Sequence, residues 1–138
     1  SSNAAEALRG YVTGSIDLMF EAAGKYWVLD WKSNFIGDGL PYSYTHEAVA
    51  AEIEEKNYAL QYVIYLTALK RHLIASGRCT KETVWNAVGG AVYVFLRGID
   101  EDNELQPQGS RRGVFVDCPR AAVDALDVLL GDGAQIDG

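Results

Sequence analysis

Residues 25–37 read KYWVLDWKSNFIG, and no other stretch limits the fold as strongly. Tyr26, Trp27, Val28 and Leu29 are the aromatic and large aliphatic types that fill a pleated, half-buried surface, so they predict a β-strand. Asp30 and Lys32 then interrupt it. An unpaired charge buried in a sheet costs several kcal/mol, so each of the two must face something polar. Strand side chains alternate, which places Asp30 and Lys32 on one face.

The flanking pattern extends the argument to a hairpin. Residues 10–20 (GYVTGSIDLMF) alternate with Val12, Ile16, Leu18 and Phe20 as apolar anchors, predicting a first strand. Residues 21–24 form the turn, with Gly24 supplying the permissive backbone, and residues 26–35 form the second strand. If the hairpin is symmetric about Ala23-Gly24, Asp17 falls directly opposite Asp30. Directly paired residues have Cβ atoms about 4.5–5.5 Å apart. Two carboxylates at that range repel, and one pKa rises unless a cation sits between them.

Downstream, Thr45 is expected to cap a helix over residues 48–55, with Glu47 in its first turn. A second helix is expected over residues 58–76, closed by Gly77, with Ala59, Val63, Leu66 and Leu73 on its buried stripe. Residues 88–96 (VGGAVYVFL) suit a strand covered on both faces. Residues 101–113 are a polar loop, 114–116 a short edge strand, and Pro119 opens a last helix carrying Val123, Leu126 and Leu130. The sum is an α/β domain with a mixed sheet.

At 138 residues the chain has room for one core. Ser1-Ser2-Asn3-Ala4 has the look of an expression scar, which leaves residues 5–138 as a single domain. The longest uncharged run, residues 84–96, is too short to span a membrane, and there is no basic-then-apolar leader. Cys79 and Cys118 are far apart, which suits reduced thiols in the cytoplasm and supports neither a zinc site nor a disulfide scaffold. His46 and His72 are also distant and make no metal pair. The net charge of −7 argues against a stand-alone nucleic-acid binder, whose affinity comes from Lys and Arg. It leaves room for a metal-bridged phosphate contact at one place.

Two strand carboxylates beside a lysine suit such a contact. Mg²⁺ takes one or two carboxylates with waters and substrate oxygens, and the Trp31 carbonyl is a further donor. Lys32 is placed to orient an attacking hydroxide or to stabilise charge on a reacting phosphate. The plain alternative is an Asp–Lys ion pair at a solvated sheet edge, with Asp17 unrelated. A bare DxK triplet occurs by chance; GxxD, a hairpin and DxK on an apolar strand together are much rarer.

Those segments carry a resemblance. GSIDLMF, LDWKSN, YALQYVIYLTALKRHL and GGAVYVFLRG, in that order, resemble the C-terminal nuclease domain of RecB, the exodeoxyribonuclease V β subunit, in the PD-(D/E)XK nuclease superfamily. The match runs from Gly10 to Gly98 and more weakly onward. It implies a restriction-endonuclease-like fold, truncated at its N-terminus. It also implies a DNA nuclease that hydrolyses phosphodiester bonds during double-strand-break processing and recombination. Asp17 and Asp30 match the metal-binding carboxylates, with Mg²⁺ or Mn²⁺ as cofactor, and Lys32 matches the catalytic lysine. Gln61 and Tyr65 match the QxxxY motif, one helical turn apart. The implied partners are DNA, the other subunits of a RecBCD-like complex and a recombinase, with no membrane.

The family's upstream histidine and acidic residue have no counterpart, and His46 lies after the DxK strand. The fragment alone is therefore expected to bind metal weakly and to cleave little or not at all. The competing reading is a non-catalytic docking module that keeps the fold and loads a recombinase. For Tyr58 and Tyr62 a packed aromatic stripe is the expectation. For Lys70, Arg71, Arg97, Arg111 and Arg112 it is scattered surface charge.

Overall fold

The computed structural model describes residues 19–101 and 111–131. Asp17 and the first nine residues, 10–18, of the strand expected over 10–20 lie outside that range. Strand β1 (Met19–Ala22) turns through Ala23 and Gly24 into β2 (Lys25–Lys32). The pair is antiparallel, with Met19 opposite Val28, Phe20 opposite Trp27, Glu21 opposite Tyr26 and Ala22 opposite Lys25. This is the register expected from the sequence. Both turn residues have positive φ, Ala23 at 54° and Gly24 at 74°, as a two-residue hairpin loop whose twist matches its strands requires. Phe20 and Trp27 stack across the strands at 6.3 Å, and the Trp27 Nε1–H donates to the Ala22 carbonyl.

Helix α1 (His46–Glu55) is capped by Thr45, whose Oγ1 accepts the Ala48 N–H at 3.2 Å. Helix α2 (Tyr58–Ala75) follows a break at Asn57, where φ is +55°. A one-turn helix α3 (Val84–Ala87) leads into β3 (Val88–Phe95), on which no residue is exposed. Strand β4 (Val114–Asp117) and helix α4 (Arg120–Leu130) complete an α/β architecture whose mixed sheet has strand order β1-β2-β3-β4. No helix among the described residues is long and apolar enough to cross a membrane.

By its internal contacts the chain divides into two units, and β2, β3 and α2 each run from one into the other. Among the described residues the first comprises 19–28, 60–91 and 118–131. Its core is Val28, Tyr62, Leu66, Leu69, Leu73, Val84, Val88 and Val123. Tyr62 is buried there while Ala59 and Val63, expected on the stripe, are only half-buried. Gly89 lets the Trp27 ring lie flat against the backbone, since a Cβ there would come within 2.4 Å of the indole. Cys79 and Cys118 are not joined.

The second unit comprises, among the described residues, 29–59, 92–101 and 111–117. Tyr44, Val49, Ile53, Tyr93 and Phe95 form its core, α1 packs on β4, and His46 stacks on Phe115. Strand β2 stops at Lys32 rather than at Phe35. Asn34 explains the early end, because its carbonyl accepts the buried Tyr44 hydroxyl at 2.6 Å and its amide turns toward α1 and α2. Those partners take the backbone out of the ladder.

Candidate active site on the second strand

Asp30, Trp31 and Lys32 form the last three residues of β2. Alternation works as expected: Asp30 and Lys32 are half-buried while Trp31, between them, is half exposed to water. The Lys32 ammonium lies 3.0 Å from Asp30 Oδ2, and each side chain keeps only 16% of its surface. The same ammonium sits 4.1 Å above the centre of the Tyr58 ring and 5.5 Å from that of Tyr93. The two rings lie 5.7 Å apart and tilted. Asn34 Nδ2 donates to the Tyr58 hydroxyl at 2.9 Å and to Glu52 Oε2 at 2.8 Å. Two other elements of the second unit thus present a ring to the lysine at the end of β2, the first residue of α2 and β3, while Asn34 and Glu52 stand behind the Tyr58 hydroxyl.

The described donors suit a hard divalent cation: one carboxylate on Asp30 and the adjoining Trp31 carbonyl, which leaves most of a shell to water and substrate oxygen. Among the described residues no group of three or more His, Cys, Asp or Glu gathers as a closed metal centre would. Gln61 and Tyr65 lie one turn apart on α2, both half-buried, and belong to the first unit.

The scattered-charge expectation fails for Lys70 and Arg71. Both are largely buried in the first unit and tie α2 to α4. Lys70 Nζ donates to Asp127 Oδ2 at 2.6 Å and Asp124 Oδ1 at 3.1 Å, and Arg71 Nε donates to Asp127 Oδ1. Arg71 Nη2 also reaches the Asp127 and Gly131 carbonyls, so it caps the end of α4, and Trp85 Nε1 donates to Asp124. Burial alone would lower the pKa of Lys70 and raise that of Asp127. The mutual hydrogen bonds and charges outweigh it, moving Lys70 up and Asp127 down. In the second unit Arg97 donates to the Ser33 carbonyl and lies 5.2 Å over the Phe35 ring. Arg112 stands 3.7 Å from Asp100.

Sequence reasoning set Tyr58 aside as packing, and it did not single out Asn34, Glu52 or Tyr93. The usable signal was Tyr58 itself, three residues before Gln61 at the start of the same helix.

No family model matches the chain. It is 37% identical over 119 residues to the RecBCD enzyme subunit RecB of Escherichia coli, covering 86% of this chain and 9% of that protein. The RecB subunit of Haemophilus influenzae is 40% identical over 114 residues, 83% of this chain and 9% of its own length. That of Mycobacterium tuberculosis is 34% identical over 130 residues, 93% and 12% respectively. The chain therefore spans about a tenth of the length of these relatives. Along most of its own length, it is homologous to part of RecB family proteins.

Proposed function

We propose that the chain is the nuclease portion of a RecB-type subunit, with a restriction-endonuclease-like fold and a PD-(D/E)XK active site. The observation that carries this reading is the DxK pair itself. Asp30 and Lys32 stand half-buried on one face of β2, 3.0 Å apart, in a chain homologous to a subunit of the RecBCD enzyme. The hairpin register, Met19 opposite Val28 through Ala22 opposite Lys25, is the one on which the sequence argument rests.

In this reading Asp17, Asp30 and the Trp31 carbonyl hold Mg²⁺ or Mn²⁺. Such an ion, when bound, acidifies a water and offsets charge on the phosphate. Asp30 orients donors around the scissile phosphate. Lys32 supplies a fixed positive charge where negative charge builds up as the P–O bond breaks. Gln61 and Tyr65 are, in this reading, the QxxxY residues of the nuclease motif. DNA reaches the site from the rest of a helicase–nuclease complex, with its other subunits and a recombinase as partners. That arrangement accommodates an acidic module, since tethering supplies effective concentration in place of affinity.

Mg²⁺-dependent cleavage of linear DNA by the intact complex, compared with its Asp30→Ala form, tests the proposal. Loss of cleavage with the complex still assembled is expected. Cleavage at the parental rate would leave the docking-module reading in its place.

A further inference from the structure

A lysine is a poor instrument of catalysis unless its flexible four-carbon stem is held, because the free stem samples many rotamers. Asp30 alone would hold the Lys32 head, but a carboxylate also neutralises the charge it positions. Aromatic faces do the first without the second. The Tyr58 ring attracts the ammonium through its quadrupole at 4.1 Å, and Tyr93 adds a second face at 5.5 Å, both inside the range of about 6 Å for such contacts.

The Tyr58 ring is itself fixed. Its hydroxyl meets Asn34, whose amide is also held by Glu52, and whose carbonyl is held by the fully buried Tyr44. Tyr93 is fully buried. The lysine seat is thus rooted in the core of the second unit rather than in solvent-facing side chains.

Resting on the reading of Lys32 as the catalytic lysine, we propose that Tyr58 is a positioning residue whose ring face, backed by Tyr93 and anchored through Asn34 to Glu52, holds the Lys32 ammonium beside Asp30. The ring face holds the cation, and the hydroxyl only helps to fix the ring through Asn34. A neutral π face orients the ammonium while leaving its charge available to a phosphate.

Two readouts test the seat. In the intact complex, Phe and successively fluorinated Phe at position 58 weaken the ring's attraction for a cation at nearly constant shape. The expected result is Tyr58→Phe within about threefold of the parent, then a stepwise fall in kcat to about tenfold across the series, with KM for DNA unchanged. Tyr58→Leu should fall by about tenfold as well. In the 138-residue chain labelled with ¹³C-lysine, the Lys32 ε-protons, assigned with Lys32→Arg, should resonate upfield of the other lysines. They should lose that shift in Tyr58→Leu and keep it in Tyr58→Phe. A flat fluorine series, or a Lys32 resonance indifferent to Tyr58→Leu, overturns the proposal. If instead Lys32→Ala leaves cleavage intact, the nuclease reading falls, and the NMR shift still decides the seat.

Discussion

Lys70 and Lys32 are both largely withdrawn from water, with side chains 12% and 16% exposed, and their surroundings treat them in opposite ways. Lys70 faces two carboxylates, and one of them is shared with Arg71, which also closes the end of α4. Lys32 faces one carboxylate and two aromatic rings. The first cluster compensates its charges among themselves and ties two helices, which is how a buried ion network serves stability. The second holds its ammonium with one carboxylate and two ring faces, so part of its hold carries no negative charge. Burial alone therefore does not separate the two lysines; the nature of the partner does.

The largest expected difference is in activity. In the intact complex, Lys32→Ala should lower cleavage by about 10²–10³-fold, the usual loss when one donor to a developing negative charge is removed. Assembly should be unchanged. Steady-state cleavage of linear DNA at saturating Mg²⁺ measures this, and a parental rate would place Lys32 in the same class as Lys70.

Asp127→Ala is the converse case. It removes the carboxylate that Lys70 and Arg71 share and leaves Lys70 with Asp124, and breaking a fully buried pair costs about 3–5 kcal/mol. With 22% of the Asp127 side chain still in water, about 2–3 kcal/mol is expected. Urea unfolding of the chain should show it, while cleavage per folded complex stays at the parental value. A selective loss of cleavage would mean that the first unit's network is catalytic after all.

These two clusters were not equally legible in the sequence. The hairpin was, because Ala23-Gly24 and the alternation around it admit one register that buries Val28 and pairs Met19 with it. The Thr45 cap and the stop at Gly77 were legible for the same reason, since their signals are local. The end of β2 was not. Asn34 leaves the strand for partners 18 and 24 residues away, and local propensity has no access to them. Lys70 and Arg71 looked like surface charge because Asp124 and Asp127 lie more than 50 residues on. Tyr58 was read as packing because an aromatic stripe on a helix is usually that. Its ring becomes a cation seat only once β2 delivers Lys32 to it.

A smaller effect probes the frame beneath the seat. The Tyr44 hydroxyl donates to the Asn34 carbonyl and accepts the Ile36 N–H at 3.1 Å. Tyr44→Phe leaves both backbone groups short of a partner, so a loss of about 1–2 kcal/mol is expected in urea unfolding. Because the Asp30, Tyr58 and Tyr93 contacts to Lys32 remain, cleavage should change by less than about threefold. A drop as large as that of Lys32→Ala would show that the seat depends on its root more than on its faces.

The finest distinction is in pH. Asp127 has its pKa lowered from the ordinary 3.8, because the bonds to Lys70 and Arg71 outweigh a burial effect that works the other way. A group with a depressed folded pKa contributes stability that is complete above its unfolded value and is lost as the pH falls through the folded one. Lys70 is raised above 10.5, so its contribution is complete below that value and is lost only as the pH rises through the higher folded one. Between the two limits the network should be indifferent to pH, and on the acid side Asp127 alone should matter. The stability gap between the parent and Asp127→Asn should therefore hold steady near neutrality and narrow from about pH 5 to about pH 2. Asp38, also lowered by its bonds to Leu40 N–H and the Ser43 hydroxyl, titrates in both proteins and cancels in the difference. Urea midpoints of the two proteins across that range measure the gap. If it stays constant down to the acid limit, Asp127 does not owe its contribution to ionisation, and the contrast between a network of carboxylates and a lysine seated partly on aromatic faces loses its first half.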